Sequence, residues 1–112
     1  MTLAEMMKSL NLSVVCGDKF LERDVTGGFS GDLLSDVIAG APEKSVWITR
    51  QIHPNIIAVA SLRDVAGIVI VAGGVPATDT LQKALEADVP ILLSPYGAFE
   101  TAGKIYALLG GK

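Results

Sequence analysis

Six consecutive residues, Gly67-Ile68-Val69-Ile70-Val71-Ala72, carry no polar side chain. A membrane-spanning helix needs about 20 apolar residues, so this run cannot cross a bilayer. Its four central residues are all β-branched, which favours an extended chain. A strand that is apolar on both faces must be covered on both faces. That places it at the centre of a parallel sheet with helices above and below. The rest of the chain has to supply that cover.

The spacing of apolar residues supplies it. Leu3, Met6, Met7 and Leu10 recur at i, i+3, i+4 and i+7, which predicts a helix over 2–10. Leu12 to Cys16 reads as a short strand ending at Gly17, with Cys16 buried. Residues 18–31 are polar and glycine-rich and read as a loop, with room for a short strand. Ser30 is placed to cap a helix whose inward face is Leu33, Leu34, Val37 and Ile38. Ser45–Thr49 is the next strand. His53-Pro54 opens a helix running to about Val65. A turn at Gly73-Gly74-Val75-Pro76 leads into a helix at about 78–88. Val89–Ser94 is the last strand, and Phe99, Ala102, Ile105, Tyr106 and Leu109 line a final helix. Strands alternating with helices of this length make βαβ units. The expected fold is a three-layer α/β domain. Its mostly parallel sheet has four or five strands, with helices on both faces.

Composition narrows the function. The 112 residues hold nine Lys and Arg against twelve Asp and Glu, for a net charge of −3. Nucleic acid and anionic membrane surfaces both need a basic face, so neither is an expected partner. One cysteine excludes an internal disulfide and every multi-cysteine metal site. No linker or low-complexity tract divides the chain, so one domain over 1–112 is expected. The first residues have neither a basic region nor an apolar one of the signal-peptide kind, and a cytoplasmic protein is expected. Half the residues are apolar and the mean hydropathy is +0.48. That excess leaves apolar surface for a partner, and a homodimer would use it.

In open parallel sheets, ligands sit outside the carboxyl ends of the strands. Those ends read as Thr49, Gly73-Gly74 and Ser94, with the Thr26-Gly27-Gly28 loop as a fourth contributor. Exposed backbone N–H groups at such turns can hold a phosphate or another anion. Tight turns need the same glycines and hydroxyls with no ligand at all. His53, the one histidine, sits beside Thr49 at the start of a helix. It could act as base or ligand, cap the helix, or bond a carbonyl. Asp18, Glu22, Asp24, Asp32 and Asp36 are acids of the kind that hard cations take, but no ligand spacing supports a metal. Solvated loop acids account for them. No phosphate loop, dinucleotide fingerprint or nucleophile–base constellation is present. No cofactor, no metal and no catalytic residue is therefore assigned. A residual alternative is a phosphate-ester enzyme using His53 with Asp24 or Asp32. Trp47 reads as core, and Tyr96 and Phe99 read either as core or as a partner-facing or ligand-stacking surface.

Asp24-Val25-Thr26-Gly27-Gly28 resembles the motif of the DRTGG domain family, with Val25 where the family has Arg and with Arg23 one place earlier. Gly31–Val37 resembles the helix that follows the motif. Thr49, His53 and Asn55 resemble the family's Thr…His-x-Asn segment. Ser94-Pro95 and Phe99–Gly103 resemble its closing segment. The resemblance covers residues 10–109. It implies an α/β module similar to the N-terminal domain of HPr kinase/phosphorylase, without that enzyme's phosphate loop. Such domains occur in CBS-domain pyrophosphatases, in long phosphotransacetylases and as small stand-alone proteins. In the pyrophosphatases the CBS domains bind the nucleotides, and the DRTGG domain contributes to the dimer contact. A non-catalytic regulatory, ligand-sensing or assembly module is implied, together with a partner enzyme encoded nearby. The expected ligand-binding residues are Asp24, Thr26, Gly27, Gly28, Thr49, His53, Asn55, Gly73, Gly74 and Ser94.

Overall fold

The computed structural model describes residues 1–111. Five strands form one sheet in the order β1-β5-β4-β3-β2. They are β1 (Ser13–Cys16), β2 (Gly27–Ser30), β3 (Ser45–Thr49), β4 (Gly67–Ile70) and β5 (Ile91–Leu93). β2, β3, β4 and β5 run parallel, and β1 joins β5 antiparallel. The first four residues of the apolar run Gly67–Ala72 form β4. It lies between β3 and β5, and all four of its residues are buried.

The helices are α1 (Leu3–Leu10), α2 (Leu34–Gly40), α3 (Asn55–Arg63), α4 (Thr78–Ala87) and α5 (Ala98–Leu108). Alternate strand residues feed two separate cores. Trp47, Ile68, Ile70 and Ile91 pack with Val37 of α2, Ile56 of α3 and Ala84 of α4. Val46, Ile48, Val69 and Leu92 pack with Leu3 and Met6 of α1 and Ile105 of α5. The layers are therefore α2–α3–α4, sheet, and α1–α5, the three-layer α/β fold read from the sequence. Each fully buried Ile or Val contributes roughly 1.5–3 kcal/mol of transfer free energy, so β3 and β4 anchor both layers.

Local chemistry explains the boundaries. Thr2 and Glu5 form a reciprocal capping box at the start of α1. Asn11, Asp64 and Asp88 close α1, α3 and α4 in the left-handed conformation, which Asn and Asp tolerate better than most residues. Pro54 stands immediately before α3, which ends at Arg63.

The short strand for which residues 18–31 left room is 27–30, an edge strand whose backbone pairs with β3. Other expectations are corrected. Ser30 ends that strand and caps nothing. Leu33 precedes α2 without a side-chain cap, and Leu33 and Ile38 face solvent. A helix of seven residues presents a narrower inward stripe than the one expected, and Val37 fills it. Cys16 is buried, but Ser13, Val14 and Val15 are exposed, since β1 has a neighbour on one side only. On α5, Thr101 and Ile105 point inward, while Phe99 is 95% exposed and Tyr106 61%.

Candidate functional site

The parallel register divides the expected site residues between two ends of the sheet. Gly27 pairs with Ser45 and Gly28 with Val46, at the amino ends of β2 and β3. Thr49 pairs with Ile70 at the carboxyl ends of β3 and β4. At a rise of about 3.3 Å per residue, Ser45 and Thr49 stand roughly 13 Å apart. Asp24, Thr26, Gly27 and Gly28 therefore lie at the opposite end from Thr49, His53, Gly73 and Ser94. The expectation that Thr26-Gly27-Gly28 joins the carboxyl-end group is corrected, because the tripeptide enters β2 rather than leaving a strand.

At the carboxyl end, β2 contributes Asp32. Its Oδ1 accepts the Thr49 hydroxyl at 2.9 Å and the Arg50 N–H at 2.7 Å. The Gln51 amide donates to the Asp32 carbonyl at 2.9 Å, and the Gln51 N–H to Thr49 Oγ1 at 3.1 Å. This network fixes the β3–α3 loop and consumes the Thr49 hydroxyl. Ser94 behaves alike. Its Oγ lies 2.7 Å from Thr101 Oγ1 and accepts the Tyr96 N–H at 3.2 Å. Both hydroxyls are buried and locally satisfied, so they shape the end of the sheet.

Gly73 is different. Ala72 and Gly73 have φ of 58° and 71°, and the Gly74 N–H donates to the Val71 carbonyl at 3.2 Å. Two consecutive left-handed residues inside an i to i+3 bond make a type I′ turn. Gly73 faces open space, whereas a Cβ on Gly74 would meet Ile70 Cγ2 at 2.9 Å. The Ala72 N–H bonds the Tyr96 carbonyl at 2.9 Å and ties this turn to the β5–α5 loop. Ile52 binds the other side: its carbonyl accepts from the Ala77 N–H at 3.2 Å and from Thr80 Oγ1 at 2.7 Å. Three loops are thus locked together around Gly73.

α3, α4 and α5 all begin at this end without a side-chain cap. The first N–H groups of α3 are partly spent, since Ile56 and Ile57 donate to His53 and Pro54 carbonyls. The first turns of α4 and α5 keep theirs, and a helix N-terminus carries about half a positive charge. Arg50 and His53 are exposed beside them. His53 makes no side-chain hydrogen bond among the described residues, and Asn55 is exposed on the first turn of α3. Lys104 lies 4.8 Å from the Tyr96 ring centre, and Phe99 projects into solvent.

Sequence reasoning missed Arg50 as a member of this group and named Asp32 among the loop acids and as a carboxylate for His53 in the enzyme alternative. Asp32 follows the carboxyl end of β2, so reading residues 27–30 as a strand places it beside Thr49. Asp24 lies instead in the amino-end cleft of about 370 Å³ with Arg23, Lys44 and Asp64. It cannot serve His53 as an orienting carboxylate from there. The acids of residues 18–36 are likewise dispersed, and among the described residues no three potential metal ligands converge.

No family model matches the chain, and no curated protein matches its sequence. A solved structure does share its fold: the CBS and DRTGG domains of the regulatory region of Clostridium perfringens pyrophosphatase, complexed with the activator diadenosine tetraphosphate. The TM-score is 0.69 at 13% identity, over 93% of this chain and 45% of that one. The chain thus spans less than half of that regulatory region. That solved structure includes a DRTGG domain, the family whose motif residues 24–28 resemble.

Proposed function

We propose that the chain is a non-catalytic regulatory module that acts as a homodimer and receives a small phosphate-bearing ligand at the carboxyl end of its sheet. The observation that carries the ligand reading is the convergence at Gly73. Uncapped first turns of α4 and α5, the open left-handed turn and the exposed Arg50 side chain all lie at one end of the sheet, where they offer free N–H groups or positive charge. The fold it shares with part of a regulatory region supports the regulatory half of the reading. The chemistry of that face suits a regulatory role: the Thr49 and Ser94 hydroxyls are engaged in structural hydrogen bonds to Asp32 and Thr101.

Thermal melting in ATP and in diadenosine tetraphosphate tests the ligand. The melting temperature rises with the logarithm of ligand concentration. Arg50→Gln weakens the rise without lowering the unliganded melting temperature. A flat response to both compounds up to millimolar concentration refutes the ligand reading. Sedimentation at micromolar concentration tests the dimer, and a clean monomer refutes that half.

A further inference from the structure

The edge strand β2, Gly27-Gly28-Phe29-Ser30, though short, has no charge, proline or bulge to keep it from pairing. The opposite edge, β1, is interrupted by an irregularity between Val14 and Cys16. Hydrogen bonds settle which groups of β2 are open. The Ala66 N–H donates to the Ser45 carbonyl and the Val71 N–H to that of Thr49, so odd-numbered residues of β3 face β4. Val46 and Ile48 therefore face β2, and the Gly31 N–H bonds the Ile48 carbonyl at 3.1 Å. By strand alternation, Phe29 and Gly31 turn their backbone groups inward, and Gly28 and Ser30 turn theirs to the open edge. The open stretch is short. The Thr26 N–H is spent on Lys44 at one end, and the Asp32 carbonyl on Gln51 at the other.

We infer that a second copy of this chain pairs with β2, antiparallel, about a two-fold axis through Phe29. This specifies the surface for the proposed homodimer and rests on that reading. Two outward residues offer little to a long foreign strand, but they are self-complementary. Gly28 of one copy exchanges both backbone bonds with Ser30 of the other, and Ser30 does so in return, which satisfies all four open residues. Phe29 meets its symmetry mate as the non-hydrogen-bonded pair, where side chains approach most closely and aromatic pairs are favourable. Phe29 is only half-buried within one copy, so it has surface left to cover. On the other face of the sheet, Gly28 and Ser30 border an apolar cavity of about 140 Å³ beside Ile105, Tyr106 and Leu109 of α5 and its C-terminal turn. Tyr106 is 61% exposed there, and the axis brings the two α5 helices together along that side. The paired sheets become one sheet of ten strands.

Cross-linking by mixing tests this register. In the proposed pair, residues 28 and 30 of opposite copies face each other with Cα atoms about 5.5 Å apart, within disulfide reach. A Cβ on Gly28 has room, its nearest neighbour being Ile105 Cγ2 at 3.8 Å. Gly28→Cys and Ser30→Cys proteins, each shown by circular dichroism to fold, are oxidised alone and mixed. The mixture gives the heterodisulfide dimer, and neither variant alone gives comparable cross-linking. Ser30→Lys, at an exposed position, weakens dimerisation at least tenfold in sedimentation. Equal cross-linking of either variant alone overturns the register. A wild-type dimer with no mixed disulfide and no response to Ser30→Lys overturns the β2 surface and leaves the homodimer reading standing. A wild-type monomer at tens of micromolar overturns both.

Discussion

One carboxylate oxygen, Asp32 Oδ1, holds the buried Thr49 hydroxyl at 2.9 Å and the Arg50 N–H at 2.7 Å. This contact joins the end of β2 to the end of β3. Replacing Asp32 by Ala leaves the Thr49 hydroxyl, 2% exposed, without its acceptor. The expected loss is about 1–2 kcal/mol, the scale for a buried polar group that loses its partner. Thr49→Val removes the donor instead. The double variant loses less than the sum of the two single ones, which a double-mutant cycle in urea measures. Strict additivity would mean that the two side chains do not depend on each other.

The two glycines of the β4–α4 turn answer differently to the same change. Gly74→Ala drives a Cβ to 2.9 Å from Ile70 Cγ2, inside the packed core. Overpacking of that kind costs about 1–3 kcal/mol. Gly73→Ala meets nothing within 4 Å and costs only its left-handed backbone, φ 71°. About 1 kcal/mol is expected there. Chemical denaturation of both variants should rank Gly74→Ala as the more damaging. The reverse order would contradict the turn described above.

The capping box of α1 makes part of the stability pH-dependent. Hydrogen bonds from the Thr2 backbone first and its hydroxyl second hold the Glu5 carboxyl below its ordinary 4.5. A carboxyl depressed on folding stabilises above its unfolded value, and that contribution disappears as pH falls through the folded value. Thr2→Ala should cost about 1 kcal/mol at neutral pH, the usual value of an N-cap. The gap between wild type and variant should narrow without closing as pH falls below about 4.5. Thr2→Ala removes the hydroxyl's bond to the Glu5 carboxylate but keeps the backbone one, and it loses the Glu5 N–H bond to the hydroxyl at every pH. Melting curves from pH 3 to pH 7 show whether the gap narrows so.

Burial raises the Cys16 thiol above its ordinary 9.0, and its Sγ lies 3.7 Å from the Val89 carbonyl. The thiolate is the reactive form. Folded protein at pH 8 should therefore react with a disulfide reagent far more slowly than urea-unfolded protein. Equal rates would place Cys16 at the surface.

The sequence made the layers legible because they rest on periodicity. Ile68, Val69 and Ile70 are apolar in succession, and only a central strand buries all of them. The edges were less legible, since an edge strand needs no strong pattern. Gly27-Gly28-Phe29-Ser30 reads as turn chemistry and becomes a strand only through β3 beside it. The same ambiguity misplaced Thr26-Gly27-Gly28 among the carboxyl-end residues and hid the bond between Asp32 and Thr49. Thr49 and Ser94 stand where strand counting puts them. Their hydroxyls are consumed by Asp32 and Thr101, which lie 17 positions before and seven after them. No local spacing announces such partners.

A ligand seated at the carboxyl end of the sheet would touch a small set of backbone N–H groups, so the most direct measurement is residue-resolved. Backbone amide NMR, titrated with diadenosine tetraphosphate and separately with ATP, reports each N–H in turn. The account predicts saturable shifts at Gly73, at Arg50 and in the first turns of α4 and α5, from Thr78 and Ala98 onward. Shifts confined to the cleft of Arg23, Lys44 and Asp64, or no shift at millimolar ligand, would contradict it.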